Sequence, residues 1–332
     1  MRTKFLVQRL GLLAIAIALG GCATRFDLQG HRGARGLAPE NTLAAFSKAL
    51  EAGVTTLELD IGITRDGVVV VSHDRYLNPD VARDAQGQHL NERGPVIASL
   101  TFAELQRYDV GRLKPGSNYA RSFPQQQAVD GERVPALKAL FDLVSRRGAG
   151  DVRFNIETKI SPAVPEDTLA PEPFVRALIA EIRNAGLARR ATIQSFDWRT
   201  LLIAQKEAPE IVTVYLTSQQ GAGDTVQVGK PGASIWLAGF DVDDYGGSVP
   251  KTVKAAGGTV WSPNFKDMTE PLVREAQSLG LKVVPWTVND EADWSRLLAW
   301  KVDGIITDYP DRLRTLMKSR GMALPNQYPA SN

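Results

Sequence analysis

The chain has 332 residues, of which 43% are hydrophobic and 23% charged, and its 39 basic and 37 acidic residues give a net charge of +2. This ordinary globular usage excludes a disordered, collagen-like or multiply membrane-spanning chain. A single cysteine excludes an internal disulfide framework and a zinc site built on several thiolates. Arg2, Lys4 and Arg9 stand among the first nine residues with no acid between them, so without residues 1–21 the chain has 36 basic residues against the same 37 acids. No global basic field recruits a nucleic acid to it.

Residues 1–22 combine a basic start, an apolar run from Leu10 to Leu19 and a stretch of small residues. This is the layout of a secretory signal, too short for a comfortable membrane-spanning helix. The run ends Leu19-Gly20-Gly21-Cys22 and resembles a bacterial lipoprotein signal, in which the cysteine is lipidated and becomes the first residue. The resemblance implies a signal peptide over 1–21 and a membrane tether through acyl chains on Cys22. With Ala23 rather than Asp after the cysteine, it implies the outer membrane, facing the periplasm. An uncleaved anchor helix is the competing reading.

From Asp27 onward, short apolar runs alternate with amphipathic segments. The spacing predicts strands over Asp27–Gly30, Thr55–Ile61, Val68–Val71, Val152–Ile156, Ala191–Gln194, Val212–Leu216, Thr259–Trp261, Lys282–Pro285 and Gly304–Ile306. Helices are predicted over Thr42–Leu50, with Asn41 as its cap, and over Leu137–Val144, Pro173–Arg183, Trp198–Lys206, Val249–Ala255, Glu270–Leu279, Glu291–Trp300 and Pro310–Met317. Val68–Val71 reads as the return strand of a hairpin across Asp66-Gly67. The remaining eight strand–helix units, in about 290 residues, suit a (β/α)8 barrel. A doubly wound sheet is the rival, but Gly33 and Gly36 do not make its glycine-rich first turn. Asp74–Pro135 is too long for a plain connection, contains one short helical piece at Phe102–Tyr108, and reads as an inserted lobe after the second strand.

The polar residues at the strand ends carry the chemistry, because those ends form the mouth of such a barrel. His31 and Arg32 end the first strand, Glu58 and Asp60 share one face of the second, and His73 ends the hairpin. Glu157 and Lys159 share a face at the next strand end, where they can also pair with each other. Three carboxylates gathered together need a cation between them, and an all-oxygen set suits a hard ion such as Ca²⁺ or Mg²⁺. Arg32 and Lys159 suit a phosphate, and the two histidines suit general acid and general base work. His89 lies in the long excursion without a partner pattern and reads as a surface residue. Phe196 and Trp286 are aromatic residues at strand ends, and Gln194 can contact a ligand. The acidic run Asp241, Asp243, Asp244 and Tyr245 suggests no role.

The stretches Gly30-His31-Arg32-Gly33, Ala38-Pro39-Glu40-Asn41-Thr42, Leu57-Glu58-Leu59-Asp60-Ile61, Thr64-Arg65-Asp66-Gly67 and Val71-Ser72-His73-Asp74 resemble the glycerophosphodiester phosphodiesterase family. Asn155-Ile156-Glu157-Thr158-Lys159, Gln194-Ser195-Phe196, Trp286-Thr287-Val288-Asn289 and Asp303 through Pro310 agree with it. The resemblance implies a TIM barrel over residues 22–332 with a small insertion at about 74–135. It implies metal-dependent hydrolysis of small glycerophosphodiesters to sn-glycerol 3-phosphate and an alcohol. By that resemblance His31 and His73 are the acid–base pair, and Glu58, Asp60 and Glu157 bind the divalent ion. Arg32 and Lys159 hold phosphate oxygens, and Phe196 and Trp286 wall the alcohol pocket. The alternatives are a lysophospholipase D or sphingomyelinase-D-like enzyme on the same barrel, and a non-catalytic envelope lipoprotein, which would have lost a histidine or a carboxylate.

Overall fold

The computed structural model describes residues 25–330. The predicted signal peptide and Cys22 lie outside the described residues. In chain order the elements are β1 (Asp27–Gly30), α1 (Leu43–Ala52), β2 (Thr56–Ile63), β3 (Val69–Val71), α2 (Phe102–Leu105), α3 (Asn118–Ser122), α4 (Leu137–Arg146), β4 (Arg153–Thr158), α5 (Pro171–Asn184), β5 (Ala191–Ser195), α6 (Trp198–Glu207), β6 (Val212–Thr217), α7 (Val249–Ala255), β7 (Val260–Pro263), α8 (Glu270–Ser278), β8 (Lys282–Val283), α9 (Glu291–Ala299), β9 (Gly304–Thr307) and α10 (Pro310–Ser319).

Eight parallel strands run in the order β8-β7-β6-β5-β4-β2-β1-β9, and β3 pairs antiparallel with β2 as the hairpin return. The two ends of that row meet through Asp303 N to Val283 O at 2.9 Å and Ile306 N to Pro285 O at 3.0 Å, which nearly close the barrel. β8 is shorter than the predicted Lys282–Pro285 because Pro285 has no N–H to give the ladder. Pairing resumes on both sides of it, from Val284 N to Trp261 O and from Trp286 N to Pro263 O.

Every residue of β2 is buried, yet its two faces differ in kind. Leu57, Leu59 and Ile61 join the apolar layer beneath the helices, while Glu58 and Asp60 point to the barrel axis. On the β1, β2, β4 and β5 side the axis is polar and hydrogen-bonded, while Val214, Leu216, Val284 and Ile306 make the facing side apolar. Asn155 Nδ2 donates to Gln29 Oε1 at 3.0 Å and to Gln194 Oε1 at 2.9 Å, so strands β1, β4 and β5 are joined through side chains.

The first loop is built on glycine. A Cβ on Gly30 would stand 2.2 Å from the Gly33 carbonyl oxygen. Gly33 has φ +87°, and a Cβ there would meet the Ala45 carbonyl carbon at 2.6 Å. The cap of α1 differs from the sequence expectation: Thr42, not Asn41, accepts the Ala45 N–H, at 3.2 Å. Asn41 is held in the left-handed region at φ +55°, and its amide donates to Asp60, so the extended residue after it takes the cap. Between β3 and α4 the chain builds a second apolar cluster, in which Leu77, Ala82, Ile97, Leu105, Val110 and Val134 pack with Val70 of β3. The predicted helix at Phe102–Tyr108 stops at Leu105, and α3 has no counterpart in the sequence reading. Among the described residues no helix is long and apolar enough to cross a membrane.

Candidate active site

At the C-terminal end of the strands a cavity of about 200 Å³ is lined by His31, Arg32, Glu58, His73, Glu157, Lys159, Phe196 and Trp286. The sequence singled out all of these, and Asp60 stands beside Glu58 and Glu157. One carboxylate oxygen from each of these three acids lies within 4.8 Å of the others. Glu58 and Asp60 come from alternate positions of β2, and Glu157 is directly opposite Asp60 on β4.

The triad is asymmetric in charge. Burial and the neighbouring Asp60 raise Glu58 well above the usual carboxylate range. Burial raises Glu157 to about 7, and Asp60 adds to this against the opposing pull of Lys159. Burial also works against ionisation of Asp60, but Arg32, His73, Lys159 and the Asn41 amide outweigh it and hold Asp60 ionised. Two carboxyls whose negative charge is under-compensated, next to one that keeps its charge, form an oxygen donor set short of positive charge. This set fits a hard divalent cation. Below their raised pKa values, Glu58 and Glu157 hold protons that a cation must displace. Affinity for Ca²⁺ or Mg²⁺ is therefore expected to climb, with protons released, as the pH rises from about 6 to about 8. Titration calorimetry in buffers of different ionisation enthalpy checks this, and an affinity flat with pH would contradict the charge assignment.

The cations flank the triad. The Arg32 backbone N–H donates to Glu58 Oε2 at 2.9 Å, its Nη1 donates to Glu40 Oε1 at 2.6 Å, and its Nε is 3.3 Å from Asp60 Oδ2. Arg32 is left-handed at φ +50°, which turns its N–H toward Glu58 and its guanidinium toward Glu40. Arg32 Nε is buried without a hydrogen-bond partner among the described residues. Lys159 Nζ reaches Glu157 Oε1 at 2.7 Å and Asp60 Oδ1 at 3.8 Å. On the far wall Phe196 and Trp286 meet edge to face with ring centres 5.3 Å apart, and Lys159 Nζ lies 6.0 Å from the Phe196 ring.

Both histidines are oriented by carboxylates. His31 Nδ1 is 2.6 Å from Asp308 Oδ1, and its Nε2 is 3.9 Å from Glu58 Oε2. Burial and the nearby Arg35 pull His31 down to about 4, against Asp308, so the ring is neutral at ordinary pH. Burial opposes ionisation of Asp308 too, but Arg35 and His31 hold it ionised, so it only accepts. The His31 proton therefore sits on Nδ1, and Nε2 is left as an acceptor. His73 Nδ1 is 2.9 Å from Asp74 Oδ1, and burial, Arg32 and Lys159 lower its pKa. His89 takes no part: its Nε2 meets the Arg112 carbonyl at 3.0 Å within the excursion.

Several residues of the site escaped the sequence reading. Asp308 is gripped by Arg35 Nε at 2.9 Å, Arg35 Nη2 at 3.2 Å and Asn289 Nδ2 at 2.7 Å. Arg35 also lines the cavity and receives Tyr119 of α3, whose hydroxyl joins Arg35 and Glu40. Gln194 also lines the cavity, and its Nε2 donates to Glu58 Oε1 at 2.6 Å. The acidic run after β6 is turn chemistry: Asp241 accepts from Asp243 N, and Asp243 from Gly229 N.

A family model described as the glycerophosphoryl diester phosphodiesterase family matches residues 31–312. A glycerophosphodiester phosphodiesterase from Caldanaerobacter subterraneus subsp. tengcongensis is 29% identical over 295 residues, covering 88% of this chain and 97% of that protein. A solved structure from Silicibacter pomeroyi, described as a putative glycerophosphoryl diester phosphodiesterase, is 37% identical with a TM-score of 0.80, over 91% of this chain and 96% of its own. An Oleispira antarctica phosphodiesterase, solved with the product sn-glycerol-3-phosphate, shares the fold at 21% identity and a TM-score of 0.61, over 88% of this chain and 96% of its own.

Proposed function

Because the chain belongs to the glycerophosphoryl diester phosphodiesterase family and is an enzyme of that kind, we propose that it hydrolyses small glycerophosphodiesters to sn-glycerol 3-phosphate and an alcohol with two histidines as acid and base. The observation that carries this is the meeting of His31, His73, Arg32, Lys159 and three buried carboxylates in one cavity. The product named for the Oleispira phosphodiesterase is consistent with a substrate of this class.

Glu58, Asp60 and Glu157 would hold a divalent cation, Ca²⁺ or Mg²⁺, which when bound supplies positive charge to the phosphoryl oxygens. Arg32 and Lys159 take the remaining phosphate oxygens and meet the charge that builds on them as the bond breaks. One histidine takes a proton from the nucleophile, which is water or the neighbouring glycerol hydroxyl. The other, in its imidazolium form, gives its Nε2 proton to the departing alkoxide as the bond to phosphorus breaks and returns to the neutral ring. Asp308 and Asp74 fix the two rings from behind. Phe196 and Trp286 wall the alcohol side.

The test is release of free alcohol from glycerophosphocholine and glycerophosphoethanolamine, with lysophosphatidylcholine beside them, with and without chelator. Turnover of the small diesters is expected to stop in chelator and to return with Ca²⁺ or Mg²⁺. Full turnover in excess chelator would refute the cation role, and preference for the lysolipid would favour a lysophospholipase D.

For the N-terminus the reading is lipidation at Cys22 and an envelope location facing the periplasm. Cys22→Ser is expected to keep full activity and, after a high-salt wash that strips electrostatic binding, to leave the membrane fraction for the soluble one. A cleaved Cys22→Ser protein that still sediments with salt-washed membranes would refute the lipid tether.

A further inference from the structure

At the end of the barrel opposite the catalytic mouth, the first residues of the strands surround a second cavity, of about 320 Å³. Its floor includes Val212, Val214, Val260 and Val284, and Val212 is 44% exposed. Its rim is basic: Arg25, Arg153, Arg189, Arg190, Lys282 and Lys301 stand against Asp27, Glu210 and Asp303. The three acids are already engaged. Asp27 meets Arg153 at 2.9 Å, Glu210 meets Arg183 at 2.8 Å, and Asp303 accepts Val283 N at 2.8 Å. Arg190 is turned onto the carbonyls of Val152 and Ala149. Arg189, Lys282 and Lys301 are exposed and make no ion pair among the described residues.

Basic residues in the last turns of α5, α6 and α7 on this side are what helix C-termini favour and indicate no partner. Lys301 directly follows the C-cap of α9 and shares that account, but Arg189 lies in a connection and Lys282 opens a strand, so the helix ends do not account for these two. Nor does overall charge, since the chain without residues 1–21 carries no basic excess.

The chain enters the barrel at this cavity. Arg25 lines it, and Cys22 lies three residues upstream, at most about 11 Å of fully extended chain. A lipid on Cys22 therefore brings this end of the barrel to the bilayer. We infer that the base of the barrel is a membrane-docking surface that takes the phosphates of anionic phospholipids on Arg189, Lys282 and Lys301. The orientation rests on the reading of Cys22 as lipidated; the lipid-binding surface does not. One consequence concerns substrate. Arg153 at the base and Glu157 at the active site are four residues apart on β4, about 13 Å, so the mouth opens away from the docked bilayer. Substrate then arrives from water, as a soluble diester, rather than from the lipid surface beneath.

The experiment uses the mature chain carrying Cys22→Ser, so that no acyl chain contributes, and vesicles of phosphatidylcholine with and without 30% phosphatidylglycerol (about one charge in three lipids). Co-sedimentation is expected with the anionic vesicles only, weakening as salt is raised. Combining Arg189→Gln, Lys282→Gln and Lys301→Gln is expected to lower partitioning by roughly 100-fold, while turnover of glycerophosphocholine stays unchanged and reports a folded chain. Combining Lys230→Gln, Lys251→Gln and Lys266→Gln removes the same charge near the mouth and is expected to leave binding within about twofold. Equal losses from both sets, or no binding by the parent chain, would overturn the docking surface. A wild-type protein found only in the soluble fraction would refute the lipid reading and with it the orientation, but not the affinity of the base for anionic vesicles.

Discussion

His31→Ala and His73→Ala are each expected to lower turnover of a glycerophosphodiester by roughly 10²–10⁴-fold, the usual size of one acid–base contribution. The two rings approach the carboxylate triad from different elements, one after β1 and one after the hairpin return β3. Each has its Nδ1 committed to a carboxylate, Asp308 or Asp74, so each presents Nε2 for proton transfer. The double variant should fall by less than the product of the single effects, because an acid and a base in one step act as a unit. His89→Ala should change little, since its ring is occupied by a backbone carbonyl of the excursion. Cation binding should survive in both single variants because the donors are carboxylates. A diester with p-nitrophenol as leaving group separates the roles. It needs little proton donation, so the variant lacking the acid recovers on it and the variant lacking the base does not. Recovery of neither, or damage from His89→Ala equal to the others, would refute the pairing.

What the sequence revealed follows the reach of local rules. The barrel was legible because eight apolar runs alternate with helical spacing, and Glu58 with Asp60 because an i, i+2 pair of acids inside an apolar strand must share the interior face. Asn41 misled for a local reason: cap propensity favours it, but its amide is drawn to Asp60, a contact made only after β2 has packed beside the loop. Asp308 obeys the same strand-end rule that selected His31 and Glu157, and that rule applied to β9 finds it. Arg35 lies four residues after His31, but its bond to Asp308 spans most of the chain. Tyr119 carries no comparable signal. It sits on a five-residue helix in a polar stretch, and only the folding of that stretch against the first loop brings its hydroxyl to Glu40. Residues that act through neighbours close in sequence or periodicity can be read; residues recruited across the molecule cannot.

The carboxylate triad should show opposite effects on stability and a common effect on function. Glu157→Gln and Asp60→Asn are each expected to weaken cation binding by at least about 100-fold and to lower turnover in step, since each removes an anionic donor. In chelator at about pH 8 the two should diverge. Glu157 is raised from 4.5 to about 7 in the folded chain, so its ionised form is disfavoured there relative to the unfolded chain. Glu157→Gln removes that burden, with a gain of at most about 3 kcal/mol, and Lys159 losing its 2.7 Å partner takes part of it back. Asp60 is held ionised well below its ordinary range, so its charge favours the fold above that range. Asp60→Asn leaves Arg32 leaning on Glu40 alone among its close acids and is expected to cost about 3 kcal/mol. Adding Ca²⁺ or Mg²⁺ should stabilise the parent chain and neither variant. Urea unfolding in chelator and in cation reads both effects. Variants that both stabilise, or both destabilise to the same degree, would mean that the positive charge around the triad is shared evenly and that Glu157 is not the donor short of a cation.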